Sequence, residues 1–209
     1  MSAHPVRRGR RTHRRWTLTL PILGAAYGTH FLRFPRRGWA RSTESAGVGP
    51  VTQRTYWIDI AQPVHTDAQT VQHVLDALPE LVPKVLAWFR RRPAATGPGP
   101  VGDRFTILML GMRRARVQVV EVHGTSFRMQ TLRQHSESGW IEVRTHPRPH
   151  GYRLEVVSRV RASSWFDRVA YLCGVGILQR MTWEATLRRA LTYSGGRRVG
   201  HGTATVEWP

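Results

Sequence analysis

Apolar positions change their spacing twice along this chain, and each change marks a change of element. "RTYWIDIA", residues 54–61, is a compact aromatic and β-branched run that predicts a first strand. Pro63 closes it, and Thr66 with Asp67 opens a helix that carries Gln69 at the capping-box position. Apolar residues then recur at spacings of three and four: Val71, Val74, Leu75, Leu78, Leu81, Val82, Val85, Leu86 and Phe89. That stripe predicts helix with one face on a core. Pro79 and Pro83 interrupt it, so two short helices with a bend are expected. "RRRPAATGPGPVG" follows as a breaker-rich loop.

From Arg104 the period becomes two. "RFTILML", "RVQVVEV", "SFRMQTL", "WIEVRT" and "YRLEVVSRVR" read as successive strands, separated by "GMRRA", "HGT", "TLRQHSESGW" and "HPRPHG". In the last run Tyr152, Leu154, Val156 and Val160 face one way, while Arg153, Glu155, Arg159 and Arg161 face the other. Connections this short favour an antiparallel meander. A long helix is then predicted from about Ser163 to Leu191, with a serine cap and an acidic first turn. Its apolar positions include Phe166, Val169, Ala170, Leu172, Cys173 and Ile177. Gly174 and Gly176 mark a bend or a close helix–sheet contact at its centre. Arg168, Arg180, Glu184, Arg188 and Arg189 exclude a simple membrane span. After Tyr193, "GTATVEW" supplies one more edge strand.

The order is strand, two short helices, an antiparallel run of strands, then one long helix, which is an α+β class. A curved sheet packed on a long C-terminal helix resembles the helix-grip architecture of the START-like superfamily. That resemblance implies a cavity between sheet and helix. Ferredoxin-like and other α+β packings fit the same element order.

Composition sharpens the picture in three places. A hydrophobic fraction of 41% and eight tryptophans describe a folded chain. The formal net charge is +19, which attracts nucleic acid or anionic lipid, though nonspecifically. Lys84 is the only lysine, so the same excess is also what a GC-rich coding sequence produces. The single cysteine, Cys173, excludes an intramolecular disulfide and Cys-pair metal sites, and its apolar surroundings predict a buried side chain. Residues 1–43 hold ten arginines and no acid. We divide the chain into a basic, disordered or loosely packed extension at 1–50 and a single α+β domain at 51–209. The head outlines a secretory signal without a clean cleavage site, so a cytoplasmic location is expected, with export as the alternative. A membrane-surface anchor and a start codon placed too far upstream are the other two readings of it.

The decapeptide "TLRQHSESGW" concentrates the chemistry. An i, i+2 spacing puts His135 and Glu137 on one face of an extended strand, where a carboxylate can fix the imidazole tautomer for acid–base work. The solvated alternative is a polar loop in which Gly139 serves only backbone geometry. No P-loop, strand-to-helix GxGxxG, GxSxG or HExxH occurs. His135, His146, His150 and Glu137 lack metal-ligand spacing, so neither a metal nor a cofactor is expected. "GMRRAR" is basic but has no interleaved aromatics.

"TLRQHSESGWIEV" together with "VVSRVRASSWFDRVAYLCGVGILQR" resembles uncharacterised-protein family 0548 of bacteria and plants, which has no established activity. The matching positions are Thr131, Leu132, His135, Glu137 and Gly139, then Ser158, Arg159, Arg168 and Gln179, within residues 54–191. Where the family carries Pro-Gly before the histidine and a glutamate after the last glycine, this chain has Arg133-Gln134 and Trp140.

The reading that results is a small-molecule binder for an apolar or amphipathic ligand. Thr131, His135, Glu137 and Arg159 are its expected polar contacts, and Met129, Trp165, Phe166 and Tyr171 its expected lining. Two alternatives are an enzyme using His135 with Glu137 in the same cavity, and a basic accessory protein that docks on nucleic acid or an anionic membrane through its head.

Overall fold

Strand β1 (Val48–Ala61) starts six residues before the aromatic run and pairs on both sides. A computed structural model describes residues 39–95, 97, 99–109 and 113–209. The arginine-rich head before Trp39, with the export, anchor and docking roles considered for it, lies outside the described residues, as does the Gly111–Met112 part of the basic turn.

Helix α1 (Asp67–Asp76) begins as its sequence dictates. Thr66 accepts from the Gln69 amide while the Gln69 side chain accepts from the Thr66 amide. A short α2 (Leu78–Leu81) follows with Pro79 in its first turn, giving the expected pair of helices. The apolar stripe does not continue as helix. Pro83 ends it, Val85 is exposed, and Phe89 belongs to strand β2 (Ala87–Arg92), where Ala87 and Phe89 face inward and Trp88 and Arg90 outward. Both periods fit residues 85–89, and pairing with the next strand decides between them.

Strands β3 (Arg104–Met109), β4 (Arg113–His123), β5 (Ser126–Thr131), β6 (Glu137–Arg148) and β7 (Gly151–Ala162) form the predicted meander. The sheet is antiparallel throughout, in the order β2-β3-β4-β5-β6-β7-β1-β8. The connection expected across residues 131–140 is shorter than its composition suggested, because β6 already begins at Glu137.

Helix α3 (Trp165–Ala170) is capped by Ser164, whose hydroxyl accepts from the Asp167 amide. A π-helical turn (Tyr171–Val175) breaks at Gly174, where φ is +128°, and leads into α4 (Gly176–Ser194). The bend falls at a predicted glycine. Cys173 on that turn is exposed, not buried, because the kink lifts this part of the helix off the sheet. Strand β8 (Arg197–Trp208) then adds an edge beside β1, longer than its predicted core at residues 202–208.

The core lies between the concave face of the sheet and these helices. Tyr56, Ile58, Ile60, Val117, Phe127 and Leu154 project from the strands, and α4 covers them with Trp183, Leu187 and Ala190. Helices α1 and α2 close one end with Val74, Leu75 and Leu78. At the other end the sheet and α4 diverge. No helix among the described residues is long and apolar enough to cross a membrane.

Candidate functional site

The divergence leaves a cavity of about 610 Å³. Its sheet wall is apolar, built from Phe89, Ile107, Val117, Met129 and Ile141, and Trp183 faces them from α4. The mouth lies at the π turn, where Leu172 and Ile177 line the cavity and are exposed to solvent at the same time.

One region of this wall is polar, and two arginines organise it. Arg54 stands on β1 in phase with Tyr56, Ile58 and Ile60, so the alternation that buries those residues buries it too. It donates to Glu137 Oε1 at 2.8 Å, and its guanidinium lies 3.9 Å from the centre of the Tyr171 ring. The other carboxylate oxygen of Glu137 accepts from Gln179 of α4 at 3.0 Å. Arg113 is in phase with Ala115 and Val117 on β4 and reaches Asp167 Oδ1 at 2.7 Å. Ser164 donates to the other oxygen of Asp167 at 2.7 Å. Both ion pairs are buried and carry no net charge between them.

His135 lies beside Arg113 and is removed from water. Its Nδ1 accepts from the Glu137 backbone N–H at 3.0 Å, so the proton of the neutral ring resides on Nε2. Burial, with the Arg113 charge adding to it, pulls its pKa down to about 3. His135 and Glu137 therefore do not form the imidazole–carboxylate dyad their spacing suggested. The ring meets the Glu137 backbone, and the carboxylate turns to Arg54 and Gln179. Burial also raises the Tyr171 hydroxyl and keeps it protonated.

This histidine has a consequence for stability. The unfolded chain protonates it near pH 6.5 and the folded chain does not, so below pH 6.5 protons favour the unfolded state. The contribution is nil above that value and grows by about 1.4 kcal/mol per pH unit on acidification, to about 2 kcal/mol at pH 5. Urea unfolding of His135→Gln beside the parent chain should show a shallower loss between pH 7 and pH 5. Equal slopes would mean that the imidazole is solvated.

Of the expected contacts, His135, Glu137, Met129 and Tyr171 line the cavity. Thr131 is buried outside it. Its hydroxyl accepts from the Gly139 amide at 2.9 Å and lies within donating distance of Gly139 O and Ser42 O, so it fixes the backbone at the start of β6. Arg159 points to the opposite face of the sheet, pairs with Glu44 at 3.2 Å and stacks on Trp208. Trp165 is 64% exposed on α3 under Arg168, and Phe166, half-buried, is not part of the lining. Arg54, Arg113 and Asp167 are additions to the site. The legible signal for the first two was an arginine falling in phase with a buried face. Among the described residues no group of His, Cys, Asp or Glu has the geometry to hold a metal ion.

Comparison with known proteins places the fold. No family model matches the chain, and no curated protein matches its sequence. The di-domain ARO/CYC StfQ from the steffimycin biosynthetic pathway is similar in structure, with a TM-score of 0.51 and 14% identity over 73% of this chain. The chain spans about half of that protein, 52%. Norcoclaurine synthase from Thalictrum flavum, in complex with dopamine and hydroxybenzaldehyde, aligns with a TM-score of 0.48 and 16% identity, covering 77% of this chain and 95% of that one. The first likeness and the observed topology together establish the helix-grip, START-like fold.

Proposed function

We propose that the protein binds a small, mainly apolar molecule with a polar end, non-covalently, in the cavity between the sheet and α4. The observation that carries this reading is the cavity itself: about 610 Å³, with an apolar sheet wall and a compact polar cluster. Ligand pockets have this size and this distribution of polarity. Arg54, Glu137, Gln179 and His135 would orient the polar end, while Met129, Ile141 and Trp183 hold the apolar body. The neutral Nε2–H of His135 suits an oxygen acceptor on the ligand. Binding belongs to the α+β domain, whose first strand supplies Val48 and Pro50 to the lining ahead of the expected boundary at residue 51.

The likeness to family 0548 rests on its quoted motifs alone, since no family model matches the chain. Glu137 and Gln179 come from the two separate matched segments and bond to each other at the cavity.

Native mass spectrometry of gently purified protein, with titration of the neutral probe N-phenyl-1-naphthylamine, tests the reading. A bound small molecule or a saturable fluorescence rise is expected. Leu178→Trp, at a half-buried lining position, should weaken probe binding at least tenfold by filling the mouth. Unchanged binding in that variant would place the probe elsewhere and sink the proposal.

A further inference from the structure

The opposite face of the sheet carries a second surface. Outward positions on β2, β3 and β4 form three rows across the strands by their pairing register: Trp88–Leu108–Arg114, Arg90–Thr106–Arg116 and Arg92–Arg104–Gln118. Five of these nine positions are arginine. Trp39, ahead of β1, lies over the last two rows, with the Arg104 and Arg116 guanidiniums 4.6 and 4.7 Å from its ring centre. Trp88 is 52% exposed and Trp39 36%.

Charge compensation differs between the two halves of this face. Toward β7, Arg128, Arg144, Arg153 and Arg159 each pair with a carboxylate, and Arg161 at the end of that strand is the exception. At the β2–β4 end, none of Arg90, Arg92, Arg104 and Arg114 has a carboxylate partner among the described residues. A merely solvated face gains nothing from half-exposed tryptophans. Uncompensated cations on an open sheet face with aromatic planes among them are what a single-stranded nucleic acid needs, phosphates on the arginines and bases on the rings. In sequence the basic turn lacks aromatics. Strand pairing supplies Trp88, and the chain before β1 supplies Trp39.

We propose that the β2–β4 end of the outer sheet face binds single-stranded nucleic acid, independently of the ligand cavity. Strands about 4.8 Å apart and rows about 6.8 Å apart give a platform wide enough for two or three nucleotides.

The test uses the full chain and a fluorescent 15-nucleotide oligo(dT). Arg90→Gln/Arg92→Gln/Arg114→Gln removes exposed charges from the patch, and Arg188→Gln/Arg197→Gln/Arg198→Gln removes as many exposed charges elsewhere. At 150 mM salt the first should weaken binding at least tenfold and the second less than threefold. The first should also reduce the slope of log K against log salt by about 2, at about 0.7 per phosphate contact. Trp88→Ala should weaken binding about fivefold or more, the range of one base stack. The single strand should bind more tightly than a duplex of the same length. Equal losses in the two triple variants, or an unaffected Trp88→Ala, would overturn the proposal by assigning binding to bulk charge. Patch-dependent binding of phosphatidylglycerol vesicles without oligonucleotide binding would overturn it in favour of a lipid surface.

Discussion

Glu137→Ala should destabilise the fold by about 3–5 kcal/mol, the usual penalty for removing one partner of a buried ion pair. The Glu137 and Arg54 side chains are 11% and 8% exposed, so solvent screens the pair weakly. Arg54 would keep the Tyr171 ring beneath it and a longer contact to Gln179 Oε1 at 3.5 Å, neither of which neutralises its charge. At about 2–4 °C per kcal/mol for a chain of this size, the melting temperature should fall by roughly 6–20 °C.

The double variant Arg54→Met/Glu137→Leu separates the worth of the pair from the harm of an orphaned charge. Replacing both partners with apolar groups of similar volume is often neutral or stabilising, so most of the loss should return. Its cavity, however, would lack the polar contacts that orient a ligand. Urea unfolding measures the first effect, and binding of the neutral probe measures the second. A Glu137→Ala variant within about 1 kcal/mol of the parent would show that water reaches Arg54.

Such a pair shows what the sequence carries and what it withholds. The strands from β3 to β7 were legible because alternation is local, and the Thr66 capping box was legible for the same reason. β2 was not, since Val85, Leu86 and Phe89 satisfy helical and extended spacing alike until β3 pairs with Phe89. Of the residues expected from the loop and the helix-grip resemblance, His135, Glu137, Met129 and Tyr171 line the cavity. The partners of Glu137 were harder to foresee. Arg54 is 83 residues away in sequence and Gln179 is 42, and only the closed sheet and the covering helix bring them together. Arg159 lies outside the cavity for a reason present in its own strand. It alternates with Ser158 and Val160, and those two hold the buried face. Cys173 followed the apolar run around it, which the kink at Gly174 then turns toward solvent.

Gly139→Ala should be nearly as damaging, through the backbone instead of charge. Gly139 has φ +148°, a conformation that side chains strain by about 1–3 kcal/mol. A Cβ there would collide with the Arg159 carbonyl oxygen and stand 2.9 Å from the Val160 Cα, both backbone atoms of the neighbouring strand. Relieving that contact means moving β6 away from β7 at the Gly139–Val160 pair, two residues from Glu137. Overpacking of this kind adds about 1–3 kcal/mol, so a total of about 2–6 kcal/mol is expected. The Thr131 hydroxyl, which holds the Gly139 amide and carbonyl, resists the displacement. Gly124, in the turn between β4 and β5, has open space where its Cβ would go, so Gly124→Ala should unfold within about 0.5 kcal/mol of the parent. Equal stability of the two variants would show that β6 shifts freely, and the register that sets Glu137 against Arg54 would then not be fixed by this glycine.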